Sequence, residues 1–525
     1  DKVALLQARL KYIRAGVWER RYRQSLIRVL VIPMLVWAAG VGTIDLDVMP
    51  TLRSLVRNAF GRNLPVDTPP CILTELMTWN LDPAFAMAWA SLQALLRFVS
   101  RPRSWQGHSG VAYLEADISL ILPYATQVLQ ENDWFFHRET GCIQRTDAHG
   151  QVRVFELGVD NPSVLKEWLV DVFRKKAFAN CTRIHRNLKR SRVARNDWAC
   201  GLDLQAPHSG ICRFAGHCLA FEEAGTNKDL LHSSMATGCS FWFMHAGKQV
   251  PPDDIRNTCL CGLYQPSRPH LLWNCPATAH LRHGIRMPQD KAEERLFAVS
   301  VGEMPASPDA SSVDFDHLTL VLQQQCLTQN NFLFVATDGS VHANVAAFGI
   351  HIPTANLSFQ AGVPGEDQSA FRAEVEGLHT VLKALHVAVC SSLNPSRIRI
   401  VIICDCQSAI ALAEGSAGQT PILARRVWTT LARLREMTDS IELFWIPSHG
   451  KAKSSWIPHS GATEFQLRAW NAKADAVANQ AARARAQGSA RESWNTACFA
   501  ARDYEHRVIH AAAAVHAHYR QFLQQ

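Results

Sequence analysis

Between residues 332 and 446, runs of consecutive apolar side chains alternate with stretches whose apolar positions recur every three or four residues. The runs are Phe332 to Ala336, Ala346 to Ile352, Leu357 to Val363, Ile398 to Cys404 and Ile441 to Ile446, and their length and β-branched content predict strands. Gly349 and Gly362 fall inside two of them and are read as bulges. The segment Ser369 to Leu382 predicts a helix burying Phe371, Val375, Leu378 and Leu382, with Glu374 at the edge of that stripe. A second helix is expected near Pro421 to Met437, and a third over the Ala-rich stretch Asn471 to Asn479, with Asp475 in its first turns. Earlier in the chain, Leu26 to Trp37, Leu52 to Gly61 and Leu81 to Phe85 give an α-rich region.

Four acids punctuate this pattern. Asp338 and Asp405 each close an apolar strand, Asp338 before a turn that Gly339 permits, while Glu374 and Asp475 lie on helices. Hard divalent cations take oxygen ligands. Two of them about 3.5 to 4 Å apart can activate a water and stabilise the leaving oxygen of a phosphodiester. Carboxylates gathered at neighbouring strand ends suit that chemistry.

These residues, in the order Thr337-Asp-Gly-Ser340, Arg372-Ala-Glu374, Cys404-Asp-Cys-Gln-Ser-Ala409, Trp445-Ile-Pro-Ser-His-Gly450 and Asn471 to Asp475, resemble the type 1 ribonucleases H over residues 331–487. The resemblance implies an α/β domain with a five-stranded mixed sheet, three antiparallel strands followed by two parallel ones. It implies Mg²⁺ (two ions, or Mn²⁺) on Asp338, Glu374, Asp405 and Asp475, an RNA/DNA hybrid as partner, and hydrolysis of its RNA strand. His449 matches the family's loop histidine, which has a part in proton transfer or product release. The interval from His449 to Asp475 is longer than the family's and holds a near repeat, Trp456-Ile-Pro-His-Ser-Gly461, so His459 stands as the second choice. The stretch after Asp405 carries Arg425, Arg426, Arg433 and Arg435, a reduced form of the basic handle some members use on hybrids.

Upstream, Cys259, Cys261, His270 and Cys275 form a Cys3His series, the donor set of a closed structural Zn²⁺ site, although the first gap is shorter than usual. With its His-Leu-Leu-Trp-Asn-Cys-Pro ending, the series resembles the zinc segment downstream of the reverse transcriptase in non-LTR retrotransposon polyproteins. Residues 1–110 resemble the region after the palm in the same polyproteins. The chain has no aromatic-x-Asp-Asp signature, its one Asp-Asp pair being Asp253-Asp254, so if the polyprotein has a polymerase its palm is expected before Asp1.

Composition adds two constraints. The net charge of +8 is concentrated at Arg174, Lys175, Lys176, Arg183, Arg186, Lys189, Arg190, Arg192 and Arg195, a stretch without acids that would attract nucleic acid. The alternative there is a solvated helix face or a nuclear-import signal. Fifteen cysteines, an odd number, fit a reducing intracellular compartment, nuclear or cytoplasmic, better than a disulfide framework. The apolar run Val29 to Ile44 is broken by Pro33, Gly40 and Gly42 and is too short to span a membrane.

The expected organisation is therefore a helical region (1–110), a basic and zinc-binding region (111–285), a Pro/Ser/Asp-rich linker (286–330), the ribonuclease H domain (331–487) and a helical tail (488–525). The chain reads as a fragment of a retroelement polyprotein with an active nuclease. The readings set against it are a silent nucleic-acid-binding remnant, and a resolvase or transposase on the same fold.

Overall fold

The computed structural model describes residues 2–17, 20–37, 48–60, 74, 78–100, 122–137, 140–187, 259–263, 270–288, 303–328, 332–392, 397–415, 422–447 and 456–524. They form a helix-rich, multidomain protein. The upstream unit contains α1 (Lys2–Ala15), α2 (Arg20–Leu30), α3 (Ile32–Val36), α4 (Met49–Phe60), α5 (Pro83–Ser100) and α6 (Pro123–Gln130). Strands β1 (Phe135–His137), β2 (Cys142–Thr146) and β3 (Val152–Glu156) and the long helix α7 (Pro162–Asn187) complete it. One core runs from Leu6 through Phe85 and Leu95 to Trp168 and Leu169. The boundary expected near residue 110 falls inside that run, and the core is continuous across it.

Asp82 shows how this unit satisfies a buried charge. Its Oδ1 caps α5 by accepting from the backbone N–H groups of Ala84 (3.1 Å) and Phe85 (3.2 Å), and its Oδ2 accepts from Arg53 Nε (2.8 Å). The antiparallel sheet β1-β2-β3 was not legible in the sequence, because its strands are short and the polarity of β3 is inverted. On β3, Val152 and Val154 face solvent while Arg153 is buried beside Phe155.

The second unit is built on a five-stranded sheet: β4 (Phe332–His342), β5 (Val345–Ile352), β6 (Leu357–Gly362), β7 (Arg399–Cys404) and β8 (Ser440–Trp445), in spatial order β6-β5-β4-β7-β8. β4 pairs antiparallel with β5, and β5 with β6, whereas β4–β7 and β7–β8 are parallel. Alternate residues of β4 serve opposite faces. Leu333 and Val335 pack beneath α8 (Phe315–Thr328), α9 (Ala370–Cys390) and α11 (Ile422–Met437). Phe334 and Ala336 pack against Leu467 and Ala474 of α12 (Glu464–Ala486) on the other face. Covered on both sides, the central strands need apolar residues at every position, which is why they read as unbroken runs. The short helix α10 (Gln407–Ala413) follows β7, and α13 (Ala490–Gln524) ends the chain.

Five expectations change. Asp338 does not close its strand: β4 continues through Gly339 to His342, paired with β5 throughout, and the turn falls at residues 343–344. Gly349 and Gly362 are not bulges: both lie in unbroken ladders, opposite Asp338 and Ala347. Phe371 is 39 % exposed rather than buried, and Glu374, expected at the stripe's edge, is 6 % exposed. Asp475 is mid-helix, since α12 starts at Thr463, whose side chain and Gln466 form a reciprocal capping box. Within the 286–330 span read as a linker, α8 buries Leu318, Val321 and Leu322 against α9. Among the described residues no helix is long and apolar enough to cross a membrane.

Candidate active site

Asp338 and Asp405 approach because their strands are parallel neighbours. Ala336 pairs with Ile403, so two residues further along the shared direction β4 brings up Asp338 and the residue just past β7 is Asp405. Glu374 arrives from the second turn of α9, whose N-cap is Ser369. The approach of α9 requires Gly339, where a Cβ would lie 2.6 Å from Glu374 N. One carboxylate oxygen from each of Asp338, Glu374 and Asp405 lies within 4.8 Å of the others. Trp445 Nε1 donates to the backbone oxygen of Asp405 (3.0 Å), and Trp456 Nε1 to that of Trp445 (3.0 Å), tying the end of β7 to the end of β8.

Electrostatically the cluster is unfavourable as it stands. Burial first, then the charges of Asp405 and Asp475, hold the Asp338 carboxyl far above the ordinary carboxylate range. Glu374 is pushed up in the same way, by burial and then by Asp338 and Asp405. Asp475 is half-buried on α12 and stands outside the close set, near enough for its charge to act on Asp338. One helical turn before it, Asn471 Nδ2 donates to Asp338 Oδ2 (3.3 Å), a contact absent from the sequence reading although the Asn-x-x-x-Asp spacing puts both on one face. The Cys404 thiol points at Glu374 Oε2 (3.8 Å). Buried, mutually repelling carboxylate oxygens are donors suited to a hard divalent cation, so the residues present fit Mg²⁺ or Mn²⁺.

His459, the second choice for the loop histidine, has its side chain covered by aromatic rings. Its ring stands edge-on to Phe332, Phe334 and Phe444 with centroids 4.9, 5.5 and 5.5 Å away. Its Nδ1 accepts from Gly461 N (3.0 Å), and Nε2 lies 3.5 Å from Glu442 Oε2. Phe332 and Phe334 lie six and four residues before Asp338, so His459 packs at the start of β4, whereas Asp338 lies in its middle. His449 lies outside the described residues.

The Cys3His series also converges. Cys259 Sγ is 3.4 Å from Cys275 Sγ, Cys261 Sγ is 3.2 Å from His270 Nε2, and all four donor atoms lie within 4.8 Å of one another. A tight turn brings the first two cysteines round: Gly262 N donates to Cys259 O (2.8 Å) with Gly262 at φ +86°, a conformation open to glycine. Burial and then nearby Arg282 lower the His270 pKa, which keeps its imidazole neutral, as a ligand must be. Three sulfurs and one nitrogen fit Zn²⁺.

The basic stretch is partly committed elsewhere. Arg174 pairs with Asp171 (3.6 Å), Lys175 with Glu303 (3.1 Å), and Lys176 donates to Asn132 Oδ1 (2.8 Å). Arg183 and Arg186 belong to the last turns of α7, while Lys189, Arg190, Arg192 and Arg195 lie outside the described residues.

No family model matches the chain, and no curated protein matches it. Solved structures similar to it include the N-terminal RNase H domain of a Mycobacterium tuberculosis protein, determined as a fusion with maltose-binding protein, at 18 % identity over 30 % of this chain and 99 % of that one, with a TM-score of 0.21. RNase H1 from the halophilic archaeon Halobacterium salinarum NRC-1 is similar at 19 % identity over 29 % of this chain and 97 % of that one, with a TM-score of 0.20.

Proposed function

We propose that residues 331–487 are a type 1 ribonuclease H domain that hydrolyses the RNA strand of RNA/DNA hybrids by two-metal catalysis, within a chain of retrotransposon origin. The observation that carries this is the meeting of Asp338, Glu374 and Asp405 within 4.8 Å, brought there by the middle of β4, the end of the parallel strand β7 and the second turn of α9. Asp475 is the fourth acid, brought to the edge of the set by α12. Two Mg²⁺ ions, when bound there, supply an activated water and stabilise the leaving oxygen. The chain's own contribution is positioning: Asn471 holds Asp338, and the Trp445 and Trp456 hydrogen bonds hold the backbone at Asp405. The A-form geometry and 2′-hydroxyls of the hybrid, rather than its sequence, are what such a site reads.

Two binding elements accompany the nuclease in this reading. Cys259, Cys261, His270 and Cys275 hold one structural Zn²⁺. The distal part of the basic stretch, Arg183 to Arg195, contacts phosphates of the hybrid or of other nucleic acid, since the proximal cations have internal partners. Each phosphate contact steepens the fall of log K with log salt by roughly 0.7 to 0.9, so alanines at Arg186, Lys189, Arg190 and Arg192 should flatten that slope.

The test is incubation of the purified chain with a labelled RNA/DNA hybrid and Mg²⁺ or Mn²⁺. Cleavage confined to the RNA strand is expected. A correctly folded protein that binds the hybrid and leaves it uncut would overturn the enzyme reading in favour of the binding remnant.

A further inference from the structure

The loop from β6 into α9, and the first turns of α9, are held by the upstream unit as well as by their own domain. Glu366 lies in that loop and is 8 % exposed. Its carboxylate accepts a two-pronged pair from Arg153 of β3, Nε to Oε1 (2.6 Å) and Nη2 to Oε2 (2.5 Å), and a further bond from Arg491 Nη2 of α13 (2.7 Å). Arg153 and Arg491 are 2 % and 1 % exposed, so this carboxylate joins two buried cations from distant parts of the chain. The next residue, Asp367, accepts from the backbone of Asn161 (3.0 Å).

Between those contacts the turn after β3 enters the nuclease unit. Val159 is buried in the same core as Val375 and Leu378 of α9. Gly158 O accepts from Leu423 N (3.4 Å), and a side chain at Gly158 would lie 2.9 Å from Ile422. Arg372 closes the joint: its guanidinium donates to Val159 O, pairs with Glu376 (2.7 Å) and lies 3.8 Å from Asp160. Arg372 is two residues before Glu374, on a turn capped by Ser369 and preceded by Glu366 and Asp367, the two acids the upstream unit engages.

We propose that Glu366 and Arg372 are positioning residues through which the upstream unit fixes Glu374, so that the acidic site is complete only with residues 153–161 docked. What the site does rests on the nuclease reading above; the docking does not. Charge-assisted, bidentate pairs are the stronger class of hydrogen bond, and breaking a buried pair on one side leaves an uncompensated charge. A helix start held by such pairs opens less often than one held by its own cap, because local opening must break them first.

The test uses the full chain and two variants, Arg153→Met, which removes the fork while keeping apolar bulk, and Glu366→Gln, which keeps shape and loses charge. Hydrogen exchange is followed at residues 370–376 and, as an internal control, at β7, together with steady-state cleavage of a labelled hybrid. In Arg153→Met, exchange at 370–376 should rise by about tenfold or more, the effect of losing a charge-assisted bond, with β7 unchanged. The maximal cleavage rate should fall by a similar factor with KM for hybrid nearly unchanged, and Arg153→Lys should restore part of both. Glu366→Gln should give the same pattern more weakly, and it carries the test if Arg153→Met does not fold. Exchange at 370–376 unaltered in a folded variant would overturn the proposal. A wild-type chain that cuts no hybrid would instead remove the nuclease reading and leave the exchange result to decide the docking.

Discussion

Asp338 and Gly349 face each other across the β4–β5 ladder, and the side chain missing from Gly349 is the space through which α12 crosses the sheet. A Cβ there would lie 2.3 Å from Ala474 O and 2.7 Å from Ala478 N. The glycine therefore sets how closely the helix bearing Asn471 and Asp475 approaches the strand bearing Asp338. Gly349→Ala should push α12 outward and cost about 1–3 kcal/mol, the range for overpacking a close-packed interior. Denaturant unfolding measures the stability, and Mg²⁺ titration should show weaker binding. A variant as stable as the parent would mean that α12 has slack at this crossing.

Removing one acid separates site from fold. Asp405→Asn keeps the size of a half-buried side chain, so stability and hybrid affinity should hold while cleavage is lost. Because a ligand that binds the folded state raises its stability by mass action, saturating Mg²⁺ should raise the Tm of the wild-type chain and raise that of the variant less. An equal shift in both would argue that the cation binds elsewhere.

The two histidines should behave oppositely. His459→Ala empties a ring site between Phe332, Phe334 and Phe444. It should lower stability by about 1–3 kcal/mol, as expected for a cavity in packed surroundings, with little change in rate. His449→Ala should slow turnover by roughly ten- to a thousandfold, approaching the loss of a general acid or base. A rate defect confined to His459→Ala would place the loop-histidine role on the second Trp-Ile-Pro copy.

Zinc is tested by metal content. The full chain should carry one Zn²⁺ per molecule, and Cys275→Ser should lose it, because replacing a buried thiolate leaves three donors for a four-coordinate ion. Stoichiometric zinc in that variant would exclude the assignment.

Asp160 gives a pH dependence with a definite sign. Burial raises its pKa from 3.8 to about 7, outweighing the backbone hydrogen bond from Glu156 and the attraction of Arg372. Between those values the folded chain holds a proton that the unfolded chain has released. Stability should therefore decline as pH rises from about 4 to about 7 and level off above, since ∂ΔG/∂pH follows the protons bound unfolded minus those bound folded. Asp160→Asn should remove that component from a series of unfolding curves, and an unaltered slope would mean that the carboxyl titrates normally.

Local pattern determined a good deal of this protein. Five apolar runs marked the five strands, because strands covered on both faces need apolar residues throughout. The acids that follow the apolar runs of β4 and β7, and the cysteine and histidine spacing, were legible because each feature lies within a few residues, although β4 runs on past Asp338 to His342. Tertiary structure alone decided which of these meet. That Asp338, Glu374 and Asp405 form the close set while Asp475 stands at its edge depends on the parallel pairing of β4 with β7 and on the glycines that let α9 and α12 approach. It also decided that Arg153 is buried against Glu366, where an alternating strand pattern would put Val154 inside, and that the His459 ring packs against Phe332, Phe334 and Phe444. The physical reason is common to these cases. Periodicity along a chain records which side of an element faces the interior, whereas a contact between residues far apart in sequence depends on register, crossing distance and charge partners that no local stretch contains.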